Sequence, residues 1–487
     1  MRSSSSSRRA PTRNTRERAR ASRGSARALA AVLAGLACNS GDASSTADAS
    51  ATTRDPASTG PATDAPATDD PETVADTDTD TGAVDGFAPA DCAQASLDEA
   101  ALARWPYVQR VSATAATVAW GIADGERPAP AQLHMGRDDA YGLVADASAQ
   151  VIPALPQGGG LRLYAATLEG LTPATEYCYQ LVVDGAPLAS GLRFHTAPAG
   201  DDAVVRFAVV GDFGTGSDAQ RQILAQIVAV HERDGLDLLL TTGDNAYGAG
   251  THQEWQENVF AIYQPLLTGV PMFPVIGNHD DKTDEAQPYL DSLFLPEQAL
   301  REQDHERYYS IDWGPLHFVA LDTERALDDM TPGLLLPELD EPDEQDDWFR
   351  QDMEAQGRPW RIVSFHQPAF SNTEGRSPEQ RMRQEFVPMF EEFGVQLVVQ
   401  GHNHLYERYH AIKGTTLTTT MGGGVTYLVT GGGGQSLYEE DSYEDPYQVT
   451  FAEKHNFVYG VIDGCTMTLT AIDEAGLEFD ATVLERC

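Results

Sequence analysis

The stretch Gly243-Asp244-Asn245-Ala246-Tyr247 places a carboxylate and a phenol three residues apart, just past the apolar run 236–240. A carboxylate is a hard ligand that can bridge two cations. A phenol, with a free pKa of about 10, ligates well only when a strongly acidic metal displaces its proton, and a trivalent ion does this more readily than Zn²⁺ or Mg²⁺. Asp244 therefore reads as a shared metal ligand, and Tyr247 points to Fe³⁺ as one of the metals. Other apolar runs end in residues of the same chemistry: Gly211-Asp212-Phe213-Gly214, Gly277-Asn278-His279-Asp280, His366 after Ser364-Phe365, and Gly401-His402-Asn403-His404. Alone, each has a plain structural explanation, since an Asp or Asn after a strand is usually a turn or helix cap and a lone His is usually satisfied locally. Several such strand ends within one domain make coincidence a poor account, and together they predict a single metal site.

Loops of this kind are presented by strands alternating with helices. Residues 204–210 read as a strand, 218–233 as a helix with apolar spacing through Ile223, Ile227 and Val230, and 236–240 as the next strand. That is a β-α-β unit, in which ligands gather at the carboxyl ends of the strands. Further strands are expected at 272–276, 316–321, 361–365 and 397–400. The polar, acidic segments 283–307 and 324–346 read as surface insertions, and the glycine run 431–434 as a flexible turn ahead of a phosphate cradle. Upstream, residues 92–199 carry short alternating runs at 115–120, 131–135, 161–168 and 177–183 separated by turn residues, which predicts an all-β sandwich. Residues 38–91 are mostly Ala, Ser, Thr, Asp and Pro and read as a disordered acidic linker, because so few apolar side chains cannot offset chain entropy.

A length of 487 residues suits two domains plus appendages. The net charge of −41 argues against nucleic acid as a partner, because phosphates would be repelled. Residues 1–37 are the opposite: nine arginines against the single acid Glu17, then an apolar segment too short to span a bilayer. That is the layout of a signal peptide. The segment 33–38 resembles a bacterial lipoprotein cleavage site, so the expected location is secreted or cell-envelope. Membrane contact is expected only through a lipid anchor at Cys38, with ordinary secretion as the alternative. Cys92, Cys178, Cys465 and Cys487 remain, an even count that favours disulfides outside the cytoplasm. Cys465 and Cys487 bracket a predicted hairpin, 466–472 and 477–484, and a bridge across its base leaves Cys92 with Cys178. No close cysteine pair suggests a metal site.

The order of the motifs from Asp212 to His404 resembles the metallophosphoesterase (calcineurin-like) superfamily, and Tyr247 with the preceding sandwich makes the chain similar to the purple acid phosphatases. The resemblance runs from about residue 100 to the C-terminus. It implies an N-terminal all-β fibronectin type III-like sandwich, residues 92–199, followed by an α/β metallophosphoesterase domain, residues 204–487, built as a β-sandwich flanked by helices. The segment 168–177 resembles the corner of such an N-terminal domain, where a Tyr hydroxyl ties the chain back to its own backbone. The resemblance also implies Fe³⁺ held by Asp212, Asp244, Tyr247 and His404. A divalent Zn²⁺, Mn²⁺ or Fe²⁺ would be held by Asp244, Asn278, His366 and His402. The implied activity is hydrolysis of monoesters of a small phosphorylated substrate by hydroxide generated at the metals. His279 would contact phosphate and assist protonation of the leaving oxygen. Members commonly carry another histidine several residues beyond the position of His366. Residues 367–376 contain none, and Arg376 is the candidate phosphate contact in its stead. A phosphodiesterase or nucleotide hydrolase on the same site, or an inert surface-binding protein, are the alternative readings. His252, His317 and His455 fall outside the motifs and read as bystanders.

Overall fold

The computed structural model describes residues 87–125, 128–155, 159–324, 344–376, 378, 382–414, 416–418 and 423–486. The leader, Cys38, most of the expected linker, the 325–343 part of the second expected insertion and Cys487 lie outside these residues. Among the described residues no helix is long and apolar enough to cross a membrane.

Residues 96–195 form two antiparallel sheets. One has the strand order Ser96–Leu97, Ala186–His195, Glu176–Val183, Ala131–Gly136, Leu143–Asp146, and the other Leu102–Gln109, Ala115–Ala123, Gly159–Glu169, Ser148–Leu155. Both sheets bury apolar residues, among them Trp120, Leu133, Tyr164 and Leu181, in a common core. At the corner the Thr172 N–H donates to Tyr177 Oη at 2.9 Å, the tie expected from the sequence. Cys92 is bonded to Cys178, and Cys465 is also disulfide-bonded. The linker ends earlier than residue 91. The Ala88 N–H donates to the Ala174 carbonyl, Asp91 N–H to the Arg137 carbonyl, and the Phe87 ring packs 4.0 Å from His195. A lone aromatic within the polar composition is what docks this end.

The remainder is organised by two larger sheets. In the first, Met272–Phe273, Leu238–Thr241 and Val205–Val210 are parallel neighbours, continued antiparallel by Asn456–Asp463, Thr466–Asp473 and Glu478–Glu485. The helix Asp218–Asp234 makes the crossover. Ser217 caps its start, Gly235 with φ 76° ends it, and Ile223, Leu224, Ile227 and Val230 form its buried face. The expected strand at 272–276 stops after Phe273, because Pro274 has no amide hydrogen to add to the ladder. In the second sheet Leu316–Ala320, Trp360–Phe365, Leu397–Gln400 and Thr426–Thr430 run parallel. The helices Glu344–Ala355 and Val387–Glu392 bury Trp348, Phe349, Met389 and Phe390 in a second core with Val363, Phe365 and Val398 from this sheet.

Two expectations fail here. The segment 283–307 is not a surface insertion: Tyr289, Leu293, Leu295 and Arg307 are buried, and Tyr289 Oη donates to the Pro274 carbonyl at 2.9 Å. The described ends of the second segment are likewise buried at Glu324 and Gln345. Nor is the glycine run a flexible turn. Gly431 to Gly434 are buried, and a Cβ on Gly433 would lie 2.4 Å from the Gly211 carbonyl oxygen, so the run exists to let two backbones touch.

The antiparallel N-terminal sheets and the larger sheets share one buried core. Tyr107 Oη donates to the Ser292 carbonyl at 2.6 Å and Tyr179 Oη to the Thr268 carbonyl at 2.7 Å. Carboxyl ends of strands from both larger sheets face one another, and that is where the predicted ligands lie.

Candidate metal centre

Because Val205–Val210 and Leu238–Thr241 are parallel neighbours, Gly211-Asp212 and Gly243-Asp244 emerge side by side, and the Asp212 N–H donates to the Gly243 carbonyl at 3.0 Å. Asp212, Asp244 and His402 all sit in the left-handed region, at φ 55°, 50° and 67°. For non-glycine residues that strain costs roughly 1–3 kcal/mol each and is retained where the surroundings enforce it, characteristically at working sites. Tight packing is the enforcement. A Cβ on Gly277 would lie 2.1 Å from the Asp244 amide nitrogen.

All seven predicted ligands come together. Tyr247 Oη donates to Asp212 Oδ1 at 2.9 Å and lies 3.2 Å from His404 Nε2, which is itself 3.4 Å from Asp212 Oδ1. Asn278 Oδ1 lies 2.9 Å from His402 Nδ1 and 3.2 Å from His366 Nε2, and His366 Nε2 is 3.4 Å from Asp244 Oδ1. The two groups are joined where the His402 N–H donates to Asp212 Oδ2 at 2.9 Å. Asp212, Asp244 and His366 each offer a ligand atom within 4.8 Å of the others.

Two of the imidazoles are aimed by carbonyls. His366 Nδ1 lies 2.8 Å from the Thr242 carbonyl and His404 Nδ1 2.8 Å from the Ser436 carbonyl. A carbonyl only accepts, so those nitrogens carry the hydrogens, and in the neutral rings each Nε2 keeps its lone pair for the centre. The electrostatics suit a cation. Burial opposes charge on His366, but the Asp244 and Asp212 carboxylates outweigh it and push its pKa up to about 10. Burial would raise Asp244, yet His366 holds it below the usual carboxylate range. The Tyr247 phenol is pushed far up, first by burial and then by Asp212 and Asp244. A phenolate beside those two carboxylates requires a strong compensating positive charge, which is the condition attached to Fe³⁺ above.

His279 is placed at the rim. Its N–H donates to Asp244 Oδ1 at 2.7 Å, its ring lies 4.4 Å from that of Tyr247, and Nδ1 is 2.8 Å from the Gly248 carbonyl. It lines a cavity of about 300 Å³ with Asp244, Tyr247, Asn278, Arg376, His402, His404, Gln435, Ser436 and Tyr438. The last three were not singled out in the sequence. They follow a glycine run and carry no distinctive pattern.

Two further carboxylates hold the loops and were also passed over. Asp280 accepts from the N–H groups of Asn245, Ala246 and Gly277, tying the Asp244 and Asn278 turns together. Glu254 accepts from the N–H groups of Gly248, Ala249 and Thr251 at 2.5, 3.1 and 2.9 Å, shaping the loop after Tyr247. Thr251-x-x-Glu254 is a readable capping-box pattern, so that signal was available. The expected bystanders are satisfied locally: His252 by Asp291, His317 by Asp312 and Asp352, and His455 by the Gly432 carbonyl.

Residues 205–406 match the family model of the calcineurin-like phosphoesterases, and the chain carries a phosphoesterase domain of that class. An uncharacterized protein of Mycobacterium tuberculosis is 26% identical over 319 residues, covering 57% of this chain and 59% of its own length. The chain thus spans about three-fifths of that relative. Purple acid phosphatase 23 of Arabidopsis thaliana is 26% identical over 347 residues, 63% of this chain and 71% of that protein. Among solved structures, purple acid phosphatase PPD1 from yellow lupin (Lupinus luteus) seeds shares the fold, with a TM-score of 0.66 at 20% identity over 78% of this chain and 74% of that one. Residues 205–406 thus carry the calcineurin-like phosphoesterase match, and the chain around them is similar to purple acid phosphatases in sequence and in fold.

Proposed function

We propose that this protein is a secreted phosphatase that hydrolyses phosphate monoesters at a pair of metal ions, with acid phosphatase activity. The observation that carries the reading is the convergence of seven ligand-type side chains with His366 and His404 both turned to present Nε2. In this reading Asp212, Asp244, Tyr247 and His404 hold Fe³⁺, and Asp244, Asn278, His366 and His402 hold Zn²⁺, Mn²⁺ or Fe²⁺. The mixture of carboxylate, phenol, amide and imidazole donors supports such a pairing of hard and borderline cations. When bound, the two cations supply Lewis acidity for activating water and neutralising the phosphoryl oxygens.

The chain's own residues do the rest. Asn278 and His279 sit on the same turn and face the cavity. The Gly248 carbonyl takes the hydrogen on His279 Nδ1, so in the doubly protonated imidazolium the Nε2–H is the group that hands a proton to the leaving oxygen. The two antiparallel sheets and the Thr172–Tyr177 tie support a fibronectin type III-like N-terminal domain. The basic and apolar leader ahead of Cys38 supports a secreted or cell-envelope lipoprotein. The net charge of −41 supports a partner other than nucleic acid, whose phosphates it would repel.

The test is metal analysis and a visible spectrum of protein purified without added metal, with turnover of p-nitrophenyl phosphate and its diester analogue. Iron, a charge-transfer band that Tyr247→Phe abolishes, and faster cleavage of the monoester are expected. Colourless, iron-free protein would overturn the Fe³⁺ assignment, and no turnover between acid and neutral pH would favour a surface-binding protein.

A further inference from the structure

We propose that Arg104, which belongs to the N-terminal antiparallel sheets, is a positioning residue for the candidate centre: through the turn Trp255–Phe260 it fixes the loop that follows Tyr247 and seats His279. The catalytic half of this claim rests on the phosphatase reading and deepens it.

Arg104 lies on the strand Leu102–Gln109, whose pairing with Ala115–Ala123 shifts register on either side of it. The residue is 1% exposed, and its Nη1 and Nη2 are buried without a hydrogen bond among the described residues. A guanidinium set into a protein interior with no acid beside it is costly, and an uncharged side chain of similar length would fill the place at least as stably. What the arginine does have is a grip on one turn. Nε donates to Gln256 Oε1 at 2.8 Å, Gln256 Nε2 donates to the Ala103 carbonyl at 2.9 Å, and Cζ lies 3.8 Å from the centre of the Phe260 ring. Gln256 and Phe260 both belong to Trp255–Phe260, which is wound as a π-helix, a rare form that is frequent at functional sites.

That turn holds the loop after Tyr247 at two places. From within it, Asn258 Nδ2 donates to the Tyr247 carbonyl at 3.2 Å. From just ahead of it, the Glu254 carboxylate gathers the N–H groups of Gly248, Ala249 and Thr251. The loop in turn seats the working groups. The Gly248 carbonyl faces His279 Nδ1 at 2.8 Å, Thr283 Oγ1 donates to the Ala249 carbonyl at 2.6 Å, and the Tyr247 ring packs 4.4 Å from the His279 ring. On the catalytic side Gln220 Nε2 donates to the Asn258 carbonyl at 2.6 Å, so the turn is gripped between the crossover helix and the N-terminal sheets. Arg104 supplies the second hold, and it reaches Tyr247 and His279 through Gln256 and Phe260. Displacing a reacting group by about 1 Å from a distance can cost about a hundredfold in rate.

The test takes the full chain as wild type, Arg104→Met, Gln256→Leu and, as a control at the same domain junction, Tyr179→Phe. It reads amide hydrogen exchange, kcat and KM for p-nitrophenyl phosphate, and the urea midpoint. In Arg104→Met, exchange at Gly248, Ala249 and Thr251 is expected to quicken about tenfold and kcat to fall about tenfold, with KM within about twofold. The urea midpoint should hold or rise, because a buried charge has been removed. Gln256→Leu cuts the same link from the other side; it should repeat these losses, and it decides the matter if Arg104→Met does not fold. Tyr179→Phe should leave exchange and kcat alone. Unchanged exchange at the three amides in the link variants overturns the proposal. Exchange that quickens equally in the strand Ala115–Ala123, or equal effects in Tyr179→Phe, would mark general loosening and overturn it too. Quickened loop exchange with kcat unchanged would overturn the catalytic half. A wild type without turnover overturns the phosphatase reading alone, because exchange still decides whether Arg104 holds the loop.

Discussion

His317 and His366 belong to adjacent parallel strands of one sheet, and each is buried, yet they end in opposite circumstances. His317, near the start of its strand, is clasped on both nitrogens by carboxylates: Nδ1 by Asp312 and Nε2 by Asp352, each at 2.9 Å. His366, just past the carboxyl end of its strand, has Nδ1 held by the Thr242 carbonyl, while its Nε2 faces Asp244, Asn278 and His402, the candidate ligands themselves. The first ring has no valence left and bolts the strand to the helix Glu344–Ala355. The second keeps a lone pair among other donors. What the second ring nitrogen faces, a carboxylate of a packing helix or a cluster of ligand-type groups, separates a structural histidine from one that can do chemistry.

The largest effect expected from breaking the working end is at Asp244. Asp244→Asn removes the shared charge, and turnover of p-nitrophenyl phosphate should fall about a thousandfold, as a loss of several kcal/mol of charge stabilisation requires. The circular dichroism spectrum should be unchanged. A variant retaining activity within tenfold of wild type would mean the two ends of the sheet do not differ as argued.

Breaking the other end should do the reverse. His317→Gln is expected to cost about 2 kcal/mol in urea denaturation while metal content and kcat hold, a sum reduced because Asp312 is 43% exposed. A pH series sharpens this. Burial disfavours charge on His317, but hydrogen bonds and charge from Asp312 and Asp352 win and raise its pKa. A raised folded pKa means the contribution is full below the unfolded value of about 6.5 and is lost as pH climbs through the folded one. The stability gap between wild type and His317→Gln should therefore close as pH rises. A gap that widened instead would show that the ring is neutral in the fold.

The smallest effect lies beneath the Arg376 loop. Burial pushes Glu407 up from 4.5 to about 7, against hydrogen bonds from Ser371, Asn372 and Gln448. The folded chain then holds a proton that the unfolded chain has released, so stability declines as pH rises across that interval. Glu407→Gln should flatten the decline, by an amount read from urea midpoints at pH 4.5 and 7. An unchanged slope would mean that Glu407 is ionised throughout.

The strand-end motifs were legible because strand and helix periodicity record local geometry, and ligand types recur where parallel strands end. The β-α-β start, the later parallel strands and the seven converging side chains follow from that. Expectations failed where burial is set by distant parts of the chain. Segment 283–307 looks polar, yet Tyr289 reaches the Pro274 carbonyl and Arg307 is enclosed by Asp281 and Asp322. The glycine run looked loose, yet it is pressed against Gly211, more than two hundred residues earlier.

What the amino-acid order determined by itself is which residue types stand at the strand ends, and hence that carboxylates, a phenol, an amide and imidazoles are offered to one place. Tertiary structure alone decided which nitrogen of each ring faces that place, that Arg376 stands behind His402, and that Gln435, Ser436 and Tyr438 complete the cavity. The reason is physical. Residue type is carried by the chain, but the orientation of a ring is set by the carbonyl or carboxylate that another strand brings against it.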